Sequence, residues 1–245
     1  MREKSRSSDI EHANSKQIIE ALAKISRAVT SDLYLEDILK LIVTVTAEVM
    51  GSKICSLMLL NNTSKELEIK ATQSVSENYN KKPNIKIGEG IAGRVAKHGK
   101  PITVLDVRKD GRYINRDIAE KENLCSLLSV PLIFKGSIIG VLNCYTTKPH
   151  CFSEDEINVL MSIANQAAIV IENFRLVIES KVIKEELEGR KAIERAKGIL
   201  MRQENLTEEA AYNLIRKYSM DNRKSMREVS EAIILNEEIK KFHKK

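Results

Sequence analysis

The spacing of apolar residues changes twice along this chain, and that double change limits the possible fold more than any single motif. Before Gly51 the apolar positions recur at helical intervals. Ile18, Leu22, Ile25 and Val29 lie 4, 3 and 4 residues apart, and a second helix is predicted from Leu33 to Met50, with Gly51 as its left-handed stop. From Ser52 to Tyr145 the runs are strand-like. Ser52–Leu60 and Glu66–Thr72 flank the turn Asn61-Asn62-Thr63-Ser64, Pro101–Leu105 is a further strand, and Leu124–Phe134 and Ser137–Tyr145 meet at the hairpin turn Lys135-Gly136. Short helices are predicted at Ile91–His98 and just before Asn123. After Ser153 the helical interval returns.

Ser153 and Glu156 form a capping box, in which each side chain satisfies an orphan backbone donor of the other residue. Ile157, Leu160, Ala164, Ala167, Ile171, Phe174 and Ile178 then follow at steps of 3 and 4, a heptad seam. The seam breaks down in the charged stretch Glu179–Glu188, where nothing stops a helix. Three further helices are predicted: Glu186–Gln203, Glu208–Met220 behind an N-capping Thr207, and Met226–Glu238 behind a second capping box, Ser225 to Glu228. Ile193, Ala196, Ile199, Leu200, Ala210, Ala211, Leu214, Ile215, Tyr218, Met226, Val229 and Ile233 are the apolar positions from which they close one small core.

The resulting fold class is α+β: an antiparallel sheet with helices, a long connecting helix, and a small three-helix all-α domain. The expected divisions are a polar tail at 1–14, a sensor domain at 15–178, a helical linker at 179–189 and a second domain at 190–242. A sheet with helices mainly on one side leaves its other face to a long loop, where small ligands often bind.

Charge and cysteine use narrow the function classes. The N-terminus lacks the apolar stretch of a signal peptide, and Ala167–Ile171, the best apolar run, is far too short to span a membrane; both point to the cytoplasm. Cys55, Cys125, Cys144 and Cys151 show no paired metal-type spacing, and His98, His150 and Cys151 match no known metal site. Residues 181–245 carry sixteen Lys and Arg against twelve Asp and Glu, a surplus that points to a polyanion partner.

The residues themselves resemble two families. Ile87-Gly-Glu-Gly-Ile-Ala-Gly-Arg-Val95, Pro101-Ile-Thr-Val-Leu-Asp106, Leu128-Ser-Val-Pro-Leu132, Gly140-Val-Leu-Asn143 and Phe152-Ser-Glu-Asp-Glu156 follow the order found in GAF domains. The resemblance implies a small-molecule sensor, with Met58, Thr103, Asp106, Tyr113 and Ser129 as pocket residues. Members that bind cyclic nucleotides carry Asn, Lys, Phe, a three-residue gap and Asp-Glu. Here Asn143, Lys148 and Phe152 are present but only two residues precede Asp155-Glu156, so the motif is read as structural. The ligand, like any cofactor, stays unidentified.

Further on, Arg190-Lys-Ala-Ile-Glu-Arg-Ala-Lys-Gly-Ile-Leu-Met201, Leu206-Thr-Glu-Glu-Ala-Ala-Tyr212, Leu214-Ile-Arg216 and Arg223-Lys224 with Glu228-Val229 and Ile233-Ile234 resemble an ANTAR domain. That family is linked to transcription antitermination through tandem RNA stem-loops, and the resemblance implies binding rather than catalysis. Arg190–Arg202 and Arg216–Arg227 each hold five basic residues and one acid. Arg195, Lys197, Gly198, Arg202, Tyr212, Arg216, Lys217, Arg223 and Lys224 are therefore the candidate RNA contacts. Arginine suits both phosphate and exposed bases, Tyr212 is placed to stack, and Gly198 inside a helix calls for the close approach of another backbone. Relative to the family, Ser219-Met220 replaces Ala-Met, and Ser225-Met226 stands where a basic-apolar pair is common.

The preferred expectation is a homodimer, joined through the long helix, whose sensor controls RNA binding. Three alternatives remain: a helix-turn-helix DNA binder using the short connection Asp221–Lys224, a redox enzyme on a GAF fold using Cys144 and Cys151, and an interaction protein without nucleic acid.

Overall fold

A computed structural model describes residues 18–27, 34–74, 76–80 and 82–242, so the expected tail at 1–14 and the stripe position Val29 lie outside the described residues. The chain forms two compact units, Met1–Arg175 and Leu176–Lys245.

The first unit is built on a six-stranded antiparallel sheet in the order β3-β2-β1-β6-β5-β4. Its strands are β1 (Ile54–Asn61), β2 (Glu66–Thr72), β3 (Ile85–Lys86), β4 (Ile102–Val104), β5 (Leu127–Phe134) and β6 (Ser137–Tyr145). The helices are α1 at 18–27, α2 (Leu35–Met50), α3 (Glu77–Asn80), α4 (Gly90–His98), α5 (Arg116–Lys121) and the first part of α6 (Glu154–Glu204). Turn chemistry sets these limits. Gly51 closes α2 at φ 56°, and Lys135 and Gly136 turn the β5–β6 hairpin at φ 48° and 79°, the two positive values that match strand twist. The capping box opens α6 as expected: Ser153 N donates to Glu156 Oε2 (2.8 Å), and Glu156 N donates to Ser153 Oγ (3.2 Å).

Strand alternation gives the sheet two different faces. Cys55, Leu57, Leu128, Val130, Leu142 and Cys144 point to one side and join Ile25, Ile38, Ile42, Leu160, Ala164, Ala167 and Ile171 in the main core. The opposite face carries Met58 and Val141 against α4, and Ile54, Leu127 and Tyr145 against Tyr79 and Tyr113.

This packing changes the meaning of the heptad seam. Leu160, Ala164, Ala167 and Ile171 are fully buried in their own domain, each large one contributing about 1.5–3 kcal/mol, so this stretch is core rather than a self-pairing surface. One 18-residue stretch of α6 reaches a mean hydropathy of 1.2, and 39% of it is buried. Polar residues interrupt the apolar ones there, so no single apolar run is long; a helix with one side in a core has that composition.

The second unit comprises the end of α6, α7 (Glu208–Asp221) and α8 (Met226–Phe242). The helix predicted from Glu186 is the continuation of α6, because the charged stretch before it contains no breaker. Thr207 Oγ1 accepts from Ala210 N at 3.2 Å, and Ser225 and Glu228 exchange bonds of 2.7 and 3.1 Å, so both expected caps form. Ala196, Ile215 and Val229 make the buried centre, with Leu200, Met226, Ile233 and Ile234 partly covered. Ala210, Leu214 and Tyr218, expected in that core, are exposed instead. A bundle this small buries only one stripe of α7, that of Ala211 and Ile215.

Candidate functional site

On the second face of the sheet, three tyrosine rings converge. Tyr145 meets Tyr79 edge-on at 6.1 Å and Tyr113 at 6.4 Å between ring centres. Tyr79 Oη donates to Ser56 Oγ (3.0 Å), and the hydroxyls of Tyr113 and Tyr145 lie 3.3 Å apart. Lys82 Nζ sits 3.6 Å above the Tyr79 ring and 3.4 Å from Tyr113 Oη. Among these groups lies a cavity of about 20 Å³, lined also by Ser56, Met58 and Asn143. That is space for a group of one or two waters' size.

The sheet register adds a polar row. Ser56 lies opposite Asn143 on β6, and Asn143 lies opposite Ser129 on β5. Asn143 and Ser129 are buried, and Asn143 Oδ1 and Ser129 Oγ have no hydrogen-bond partner among the described residues. Burial pushes the three tyrosine hydroxyls well above their ordinary range. Burial also pulls the Lys82 amine down to about 7, against the opposing pull of Glu122 and Asp117.

Of the expected pocket residues, Met58 and Tyr113 line this cavity, and Ser129 lies in the adjoining polar row. Thr103 does not. It lies opposite Leu128, whose side chain enters the main core, so Thr103 belongs to the other face and is exposed there. A one-residue parity error moves a strand residue across the sheet. Asp106 is occupied locally: Arg108 Nε and Nη2 donate to its carboxylate at 2.8 and 3.0 Å, which holds the carboxyl below its usual range. Tyr79 and Lys82 were not anticipated, since each stands in a polar stretch without periodicity. Tyr145 was legible in principle, because it shares strand parity with Asn143.

The redox alternative calls for Cys144 to act with Cys151, but the neighbour of Cys144 is a different thiol. Cys144 Sγ lies 2.9 Å from Cys55 Sγ across the β1–β6 pair, both fully buried, while Cys151 is exposed. Burial first, and Cys144 second, push the Cys55 thiol well above its ordinary range, which disfavours the reactive thiolate. Iodoacetamide is therefore expected to modify Cys151 at least about tenfold faster than Cys55, Cys125 or Cys144 in the native protein. Peptide mass spectrometry showing comparable rates at Cys144 would revive the redox reading. Among the described residues, no three His, Cys, Asp or Glu side chains gather as a metal site.

In the second unit, the candidate basic residues fall into two groups. Arg202, Arg216, Lys217, Arg223 and Lys224 are exposed, and none has an ion pair among the described residues. Tyr212 is 40% exposed and lies four residues before Arg216, so the two share a face of α7 beside the buried Ala211–Ile215 stripe. Arg223 holds φ 52° in the turn between α7 and α8, a conformation that costs a non-glycine residue roughly 1–2 kcal/mol.

The second group is engaged inside the domain. Lys197 is 7% exposed, and its ammonium donates to Glu194 and to Glu208, both at 2.8 Å. Both carboxylates raise its pKa. It ties the start of α7 to α6 and is not presented to a partner. Arg195 donates to Glu238 of α8 at 2.7 Å while remaining exposed. Gly198 has no close backbone neighbour: an added Cβ would meet only Arg202 Nη1, at 3.6 Å.

Comparison with known proteins places both units. Residues 33–172 match the GAF domain family and residues 182–234 the ANTAR domain family. A methyl sulfide methyltransferase-associated sensor of Methanosarcina acetivorans is 26% identical over 162 residues, which are 64% of this chain and 16% of the sensor. The chain thus spans about a sixth of the length of that relative. The transcriptional regulatory protein PdtaR of Mycobacterium tuberculosis is 28% identical over 149 residues, 56% of this chain and 68% of PdtaR. Among solved structures, the GAF domain of a phosphoenolpyruvate-protein phosphotransferase from Coxiella burnetii superposes with a TM-score of 0.59 at 28% identity, covering 66% of this chain and 97% of that one. A free methionine-R-sulfoxide reductase of Neisseria meningitidis superposes with a TM-score of 0.56 at 24% identity, over 65% of this chain and 91% of that one; this likeness shows the fold alone.

Proposed function

We infer, because this chain belongs to the GAF domain family and carries an ANTAR domain behind it, that it is a transcription antitermination regulator whose sensor governs RNA binding. In this reading the output unit holds tandem stem-loops of a nascent transcript in the cytoplasm and so keeps a terminator hairpin from forming. The reaction is binding; no bond is made or broken. The observation that carries it is the exposed set Tyr212, Arg216, Lys217, Arg223 and Lys224, an aromatic ring beside cations with no internal partner. Backbone charge plus stacking on splayed loop bases is how proteins read RNA hairpins.

Dimerisation would present two such units to two stem-loops. Support for it lies further along α6 than the first part of the seam: Leu176, Ile183 and Leu187, seven and four residues apart, are 49, 65 and 50% exposed on one helix face.

The test is a gel shift of the full chain with a tandem-hairpin RNA at several salt concentrations, with duplex DNA as competitor. The expected result is salt-sensitive binding that RNA, and not DNA, displaces. Preferential displacement by duplex DNA would favour the helix-turn-helix reading, for which the short 222–225 connection is the supporting observation. Gly198→Ala sharpens the test. The new methyl has room, so it should stabilise the helix by about 0.5–1 kcal/mol. It should nevertheless weaken RNA binding, because the room above Gly198 is then reserved for the RNA backbone. Unchanged RNA affinity in Gly198→Ala would remove Gly198 from the interface.

A further inference from the structure

We propose that the tyrosine-lined pocket of the GAF domain takes a small carboxylate, bound by the Lys82 ammonium and by the amide of Asn143. This rests on the sensor reading above and gives its input a chemical class.

Among the described residues, Lys82 lacks a close counter-charge. Lys82 Nζ is surrounded by the faces of Tyr79 (3.6 Å) and Tyr145 (5.4 Å) and by Tyr113 Oη (3.4 Å), and it has no carboxylate within ion-pairing distance among the described residues. Tyr79 and Tyr145 lie on α3 and β6, and Tyr113 precedes α5. The acids that act on Lys82, Asp117 of α5 and Glu122 just after it, do so at longer range. Glu122 already accepts a hydrogen bond from Ser76 Oγ. A largely buried cation without a partner is costly, and an anion entering the cavity removes that cost. Asn143 is the second observation. It is 2% exposed, lines the cavity and has an unpartnered side-chain oxygen beside the equally unpartnered Ser129 hydroxyl. An amide oxygen only accepts, so the donors that Asn143 offers a carboxylate in the cavity are its N–H groups. A cavity of about 20 Å³ limits the anion to the carboxylate group itself and little more, and the surrounding Ile69, Ile85 and Ile91 disfavour a second charge.

Protonation of Lys82 follows from the same geometry. With the empty-pocket amine pulled down to about 7, the ammonium that attracts the carboxylate is mostly present below that pH and mostly absent above it. Affinity should therefore fall as pH rises, by roughly twentyfold between about pH 6.5 and 8.5, with uptake of a proton on binding at the higher value.

The experiment is calorimetry of the full chain with formate and acetate, with acetamide and tetramethylammonium as the neutral and cationic counterparts, repeated on Lys82→Met. Expected are saturable heats with the two carboxylates only, the stated pH dependence, and loss of binding in Lys82→Met, which should fold at least as well as the parent because it buries no charge. Asn143→Leu, weakening acetate binding without altering its pH dependence, is the companion variant. Binding of tetramethylammonium in place of acetate, or acetate binding that survives Lys82→Met, would overturn the proposal. Hairpin RNA affinity, measured with and without saturating acetate, separates this site from its regulatory use. Acetate binding that leaves RNA affinity unchanged upholds the anion pocket and sinks sensor control. No acetate binding, in a protein whose RNA affinity responds to tetramethylammonium, does the reverse.

Discussion

Replacing Tyr212 and Arg216 together by alanine is expected to weaken hairpin RNA binding about 100-fold at moderate salt, with no change in fold. The two residues lie four apart on α7, Tyr212 40% exposed and Arg216 exposed without an ion pair, so neither removal opens the Ala211–Ile215 core stripe. A lost base stack costs roughly 1–3 kcal/mol, and a lost charge-assisted hydrogen bond to phosphate about 1.5 kcal/mol or more. Together these approach 3 kcal/mol, about two decades in affinity. The single variants separate the two contributions. Arg216→Ala should lower the slope of log affinity against log salt by about one, whereas Tyr212→Ala should lower affinity and leave that slope alone. Titrations in which Tyr212→Ala matches the parent would assign the ring to the domain's own edge. Lys197→Met is the contrasting control. Its ammonium is bound by Glu194 and Glu208, so its loss should loosen the α6–α7 junction and lower the melting temperature before it affects RNA contacts.

What could be read from the sequence depended on how local the cause was. Caps were legible because each is a few residues long: Ser153 with Glu156, Thr207, and Ser225 with Glu228 formed as expected. The change of period outlined five of the six strands and the longer helices within a few residues, while α3 (Glu77–Asn80) and β3 (Ile85–Lys86) fall in a polar stretch without periodicity. What periodicity does not carry is which surface lies opposite. The seam from Leu160 to Ile171 has the same spacing whether it meets a second copy or its own sheet, and only the fold shows the latter. The candidate site divides in the same way. Arg202, Arg216, Lys217, Arg223 and Lys224 are exposed, as their charge suggests, while Lys197 is claimed by acids three residues before it and eleven after. Thr103 failed on strand parity, which turns on a single residue of register. Tyr79, on the one-turn helix α3, and Lys82 just after it reach the pocket from a polar segment too short for a repeat to signal direction.

The glycine-rich segment that carries the GAF resemblance yields the largest expected effect on stability. Gly93→Ala should destabilise the first unit by about 3 kcal/mol, lowering its melting temperature by about 10 °C. Three glycines act here in different ways. Gly88 and Gly90 hold φ 89° and 59°, turning the chain from β3 into α4, and Gly88 N donates to Gly93 O at 2.7 Å to close the turn. Gly93 has ordinary helical freedom, but a Cβ there would lie 2.2 Å from Lys86 O and 3.1 Å from Gly88 N. Both obstacles are backbone, so relief requires α4 to move off β3. That shift would disturb Ile85 and Ala92, which line the pocket, and Val95, which packs with them. Gly136→Ala provides the comparison. Its φ of 79° makes the substitution strained, yet nothing lies within 4 Å of the added Cβ, so the cost should stay near 1–2 kcal/mol. Near-ultraviolet circular dichroism follows the relevant unit selectively. The chain has no Trp, Tyr79, Tyr113 and Tyr145 are buried in the first unit, and Tyr34, Tyr212 and Tyr218 are at least 40% exposed. A Gly93→Ala protein melting within a couple of degrees of the parent by this signal would mean that α4 does not press on the Lys86 carbonyl. The pocket wall built on that contact would then have to be redrawn.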